Sequence, residues 1–181
     1  KEIVRIFKRE IIKDREIKNN LEYKKIELNE KQLSVYNSVD LDKNKTYLLH
    51  GITGSGKTEI YLRLIKDCID SGKKALMLVP EISLTPQITS ILVSRFKSDI
   101  AILHSGLSVS EKYNMWKKIY DGDIKITVGA RSAIFAPIDN LGVIIIDEEH
   151  EGSYIQDNNP KYDAKEIARL RAFNHNCPLI L

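Results

Sequence analysis

Gly51-Ile52-Thr53-Gly54-Ser55-Gly56-Lys57-Thr58 satisfies the spacing G-x-x-x-x-G-K-[ST] at every fixed position. A short apolar run, Tyr47–His50, precedes it and an amphipathic stretch, Lys57–Asp70, follows. In that strand–loop–helix context the spacing describes a phosphate site rather than a chance match. Gly54 and Gly56 let backbone N–H groups converge on phosphate oxygens, and the helix N-terminus adds its partial positive charge. Lys57 would neutralise β- and γ-phosphates, and the Thr58 hydroxyl would bind Mg²⁺. A glycine-rich turn that merely joins strand to helix would need neither Lys57 nor Thr58.

Val143-Ile144-Ile145-Ile146-Asp147-Glu148-Glu149-His150 is the second candidate. A carboxylate at the carboxyl end of a buried parallel strand lies at the mouth of the sheet, beside such a loop. Asp147 there would hold Mg²⁺ through water, and Glu148 is placed to orient or deprotonate an attacking water. A solvated acidic strand end is the alternative for the pair in isolation. A complete phosphate loop upstream favours the metal role, because a nucleoside triphosphate needs that ligand.

These groups must be held by a scaffold, and the chain has enough of one. It has 181 residues, 43% hydrophobic and 29% charged, which is ordinary for one folded domain and excludes a disordered chain. The longest apolar stretch, Leu141–Ile146, is far short of the ~20 residues of a membrane helix. Cys68 and Cys177 form no C-x-x-C pair, so neither a zinc module nor a disulfide framework is expected, and a reducing, cytoplasmic setting is the default. Net charge is +3, all of it within residues 1–50 (12 Lys/Arg against 9 Asp/Glu). That bias is compatible with a nucleic-acid partner without establishing one.

From Thr46 onward apolar runs (47–50, 75–79, 100–103, 125–128, 143–146 and 178–181) alternate with helical stretches (57–70, 84–96, 110–120 and 164–174). Strands apolar throughout, alternating with helices, predict a parallel sheet covered by helices on both faces. Residues 30–39 are expected to form a helix capped by Asn29. Residues 1–27 lack a clean period and are expected to be a linker or tail. A first residue that is Lys and a final apolar run, Pro178–Leu181, suggest a piece of a larger protein, cut within a strand.

The sequence DEEH at 147–150 resembles the DExH motif of superfamily 2 helicases. Around it, LLHGITGSGKTEIYL (48–62), LVPEISLTPQ (78–87), LHSGLS (103–108), VGARSAIFAP (128–137) and IIIDEEHEGSY (144–154) resemble the replication-restart DNA helicases of bacteria. The resemblance spans about 28–181. It implies an α/β RecA-like ATP-binding lobe, the first motor lobe of an ATP-dependent 3′-to-5′ DNA helicase, incomplete at its C-terminal end. Residues 1–27 would then come from a preceding winged-helix domain.

The resemblance further implies ATP and Mg²⁺ as cofactors, with zinc only in the second lobe, outside this chain. Single-stranded and forked DNA and, through the parent protein, primosome and helicase-loader proteins are its implied partners. No membrane and a monomer are expected, and the isolated chain is expected to be inactive. Gln32 corresponds to an adenine-contacting glutamine; otherwise it is an exposed helix residue. Pro80, Glu81, Thr85, Arg131 and Ser132 fall in motifs that line the single-stranded DNA track, where an Arg can grip a phosphate bidentately; the alternative for Arg131 is pairing to an acid. His150 would relay between nucleotide and DNA, or simply cap the strand. Tyr154 and Tyr162 lie in a loop resembling an aromatic-rich DNA sensor, where rings stack on bases or serve as packing anchors. Asp163 departs from that loop's pattern. A small-molecule kinase on the same phosphate loop, and a nucleotide-binding scaffold without turnover, are the competing functions.

Overall fold

The computed structural model describes residues 27–181 apart from Thr53. The expected linker or tail, 1–27, therefore lies outside the described residues except for Glu27, as does the Thr53 position of the phosphate loop.

In chain order the elements are α1 (Glu30–Asn37), β1 (Thr46–Tyr47), α2 (Lys57–Asp70), β2 (Lys74–Leu78), α3 (Pro86–Phe96), β3 (Ile100–Leu103) and α4 (Val109–Tyr120). There follow β4 (Ile126–Gly129), β5 (Leu141–Ile146), β6 (Ile155–Gln156), β7 (Tyr162–Asp163), α5 (Ala164–Asn174) and β8 (Leu179–Ile180). Six strands form one sheet in the order β1-β8-β5-β2-β4-β3, and every neighbouring pair is parallel.

The predicted α/β fold with both faces covered is what the core shows. Along β5, Ile144 and Ile146 pack on one face with α4 and α5, while Val143 and Ile145 pack on the other with α2 and α3. β2 alternates the same way, Leu76 and Leu78 against Ala75 and Met77. A strand covered twice must be apolar at every position, which is why these runs show no alternation. Each fully buried aliphatic side chain contributes about 1.5–3 kcal/mol.

Helix starts follow capping chemistry. Asn29 and Ser108 form capping boxes with Gln32 and Glu111 at α1 and α4. Asp163, the departure from the loop pattern, caps α5 by accepting from the Lys165 amide at 2.7 Å. Most expected boundaries shift by one or two residues, and two of the shifts have a clear local cause. The helix expected from Leu84 begins at Pro86, because Thr85 caps it and proline suits the first helical position. The strand expected at 47–50 ends at Tyr47: β1 is an edge strand paired only with β8, and beyond Leu49, whose amide donates to the Leu181 carbonyl, the chain leaves for the phosphate loop. The loop expected at 151–162 contains a small antiparallel pair, β6 with β7.

Candidate nucleotide site and its neighbouring loops

Because the strands are parallel, their carboxyl ends share one edge of the sheet, and the sequence motifs gather there. Gly51–Gly56 follow β1 and run into α2, whose cap is Gly56 at φ 85°, a left-handed conformation that glycine adopts without strain. A side chain there would also collide with the Gln32 amide. Gln32 contributes twice: its Oε1 accepts from the Asn29 amide at 2.9 Å, and its Nε2 donates to the Ser55 carbonyl at 3.0 Å. α1 thereby touches the phosphate loop through the residue expected to contact adenine.

Lys57 opens α2, and its Nζ donates to the Gly51 carbonyl at 2.7 Å, folding back across the loop. The same Nζ lies 3.5 Å from Glu148 Oε1. Asp147 directly follows β5; its amide donates to the Leu78 carbonyl at 2.9 Å, extending the ladder with β2 to the sheet edge. Burial pushes the Asp147 carboxyl above its usual range, and the Glu148 charge beside it acts the same way. Such a carboxylate is stabilised by a cation. Among the described residues no cluster of three or more His, Cys, Asp or Glu could hold a metal alone. Mg²⁺ is commonly held by one or two protein groups plus substrate phosphates, so Asp147 with the exposed Thr58 hydroxyl in the first turn of α2 fits that ion. His150 is exposed, with Nε2 3.7 Å from Glu148 Oε2.

Two tyrosines flank Asp147. Tyr61, buried on α2, faces its carboxylate and favours the charged form, and Tyr154 donates to its backbone carbonyl at 2.6 Å. Sequence reasoning missed Tyr61. The available signal was a phenol, rather than Phe or Leu, one turn after Lys57 on the buried face of the helix.

The expected DNA-track residues divide. Tyr154 is corrected: its ring is 0% exposed and belongs to the core, so no face is open to a base. Pro80 is also corrected, since it is buried and turns the chain from β2 into the 81–83 turn instead of presenting a surface. Glu81 is exposed, but its carboxylate accepts from the Ser105 amide at 2.9 Å, and hydrogen bonds from Ser105 hold it below the usual carboxylate range. It ties the loop after β2 to the loop after β3. Thr85 is the cap of α3, and Ser132 is exposed. Among the described residues Arg131 pairs with no acid. Its guanidinium donates to the Ser153 carbonyl at 3.1 Å, to the Ile155 carbonyl and to Gln156 Oε1, and lies over the Tyr162 ring. Tyr162, half-buried, meets Phe135 edge-to-face at 4.9 Å between centroids.

This architecture and edge chemistry define a class. The DEAD/DEAH box helicase family profile matches residues 29–178, and the chain belongs to that family. Among curated proteins it is 57% identical to the replication restart protein PriA of Bacillus subtilis strain 168 over 144 residues, 80% of this chain and 18% of that protein. It is 51% identical to PriA of Synechocystis over 135 residues, 74% of this chain and 16% of that one. These relatives bear out the resemblance to the replication-restart helicases, and the chain spans less than a fifth of their length. Among solved structures the UvsW helicase from bacteriophage T4 superposes with a TM-score of 0.60 at 19% identity, covering 89% of this chain and 54% of that one, which supports the RecA-like fold. Among the described residues no helix is long and apolar enough to cross a membrane.

Proposed function

We infer that this helicase domain is the ATP-binding first lobe of a DNA-dependent motor, within a longer protein that moves 3′-to-5′ on single-stranded or forked DNA during replication restart. The observation that carries the reading is Lys57 Nζ at 3.5 Å from Glu148 Oε1, with the same ammonium on the Gly51 carbonyl. A phosphate-neutralising cation and a water-activating carboxylate then face one another across the loop, the arrangement hydrolysis of a phosphoanhydride requires.

In this mechanism the loop amides of 51–58, Thr53 among them, cradle phosphates, and Lys57 meets their charge. Glu148 accepts the proton of the attacking water, while Gln32 contacts the base. Mg²⁺, held by Thr58 and Asp147, would supply charge neutralisation of the phosphate oxygens. His150, next to Glu148, passes the state of the nucleotide to the DNA side. Thr85, Arg131, Ser132 and Tyr162 line half of the DNA groove, with Glu81 bracing its loops. The other half, and the cation that completes the transition state, belong to a second lobe. Residues 28–181 form this lobe, and 1–27 join it to a winged-helix domain. The parent acts in the cytoplasm as a monomer, with primosome and loader proteins as partners.

The test is ATP turnover of the full-length protein with and without single-stranded DNA, beside Lys57→Ala. DNA-stimulated turnover that falls by about a hundredfold or more in the variant, with DNA binding retained, supports the reading. Turnover indifferent to DNA would indicate a kinase, and no turnover a scaffold.

A further inference from the structure

Glu148 has φ +49°, a left-handed backbone that a residue with a side chain seldom adopts. Such a conformation persists only where its surroundings impose it. Here the peptide between Asp147 and Glu148 is gripped at both ends. Its N–H donates to Asp147 Oδ1 at 3.1 Å, and its carbonyl accepts from the Tyr154 hydroxyl at 2.6 Å.

Tyr154 is held in its turn. Its ring is fully buried against α5 and β5. Arg131 donates to the carbonyls of Ser153 and Ile155, the residues on either side of it. Packing alone would be served by Phe. A phenol hydroxyl enters such a core without penalty only when hydrogen-bonded, and here the bond it makes falls on the one peptide whose orientation sets the direction of Glu148.

We propose that Tyr154 is a positioning residue for Glu148: its hydroxyl locks the 147–148 peptide so that the Glu148 carboxylate stays at the Lys57 side of the phosphate loop. This rests on Glu148 being the group that activates water. Without the hydroxyl the Asp147 carbonyl is left unpaired, and the peptide turns toward the commoner right-handed conformation. The carboxylate then swings away from Lys57 while the phosphate loop is untouched. Nucleotide binding and turnover therefore separate.

The experiment is steady-state ATP hydrolysis by the full-length protein at saturating single-stranded DNA, comparing wild type, Tyr154→Phe and Glu148→Gln, with nucleotide affinity and binding stoichiometry measured on each. Tyr154→Phe keeps the ring and its packing. Its kcat is expected to fall about tenfold, the loss that follows from unpairing one buried carbonyl, with KM for ATP, nucleotide affinity and stoichiometry at wild-type values. An unchanged kcat overturns the proposal, as does a loss appearing as raised KM or reduced stoichiometry, which would mark Tyr154 as a packing residue only. Wild-type turnover in Glu148→Gln would instead overturn the reading of Glu148 itself. A dead Glu148→Gln beside a fully active Tyr154→Phe would sink the positioning role alone.

Discussion

Gln32 donates from Nε2 to the Ser55 carbonyl at 3.0 Å, so a short helix without a single buried residue is latched onto the phosphate loop by the side chain that would read the base. One intramolecular hydrogen bond contributes a net ~0.5–1.5 kcal/mol. Gln32→Ala should therefore weaken ATP binding several-fold and reduce the preference for ATP over GTP. Gln32→Glu keeps the acceptor for the Asn29 amide but turns an oxygen toward the Ser55 carbonyl, and should be worse than Ala. Competition binding with both nucleotides checks this; unchanged selectivity in both variants would leave Gln32 a latch with no role in base recognition.

The hairpin of β6 and β7 depends on Arg131, whose guanidinium bonds two carbonyls and Gln156 across it. Arg131→Ala should raise amide hydrogen exchange in residues 155–163 while leaving β2 and β5 protected. Arg131→Lys should rescue little, since an ammonium lacks the planar fork. Exchange unchanged in Arg131→Ala would show the hairpin to be held by its own pairing and by Tyr162 against Phe135.

Neither cysteine should react in the native state. Burial pushes the Cys68 thiol up to about 12 and the Cys177 thiol to about 11, so thiolate, the reactive form, is scarce at neutral or mildly alkaline pH. Both are free and buried. Alkylation at pH 8 should modify neither in the folded chain and both in denaturant. Reaction of either at the denatured rate would contradict the packing of α2 and the entry to β8.

The motifs of the candidate nucleotide site were legible in the sequence because their spacing is local: Gly51–Thr58 and Asp147-Glu148 sit at fixed spacings, and doubly covered strands such as Val143–Ile146 announce themselves as unbroken apolar runs. What escaped was set by tertiary contact. Tyr154 looks like an exposed loop aromatic until the turn at 152–154 folds it into the core. The hairpin carbonyls that hold Arg131 come from residues more than twenty positions away, so its partners were not legible. Pro80 is buried where the chain leaves β2 for the 81–83 turn. The capping roles of Asn29 and Asp163 divide the same way: the first was read from its place before a helical pattern, the second surfaced only as a departure from a motif.

On the proposed function this chain holds the nucleotide-binding wall of a motor whose hydrolysis needs a second lobe. ATP turnover of the 181-residue chain, with and without single-stranded DNA and beside the full-length protein, is the decisive measurement. Lys57, Thr58, Asp147 and Glu148 are present in the chain, whereas a cation meeting the γ-phosphate from the far side of the cleft would come from the other lobe. Measurable nucleotide binding, turnover far below that of the full-length protein, and no stimulation by DNA are the expected results. Turnover by the chain within about tenfold of the intact protein, a difference of only ~1.4 kcal/mol in barrier, would mean that every catalytic group is already here and would contradict the two-lobe mechanism.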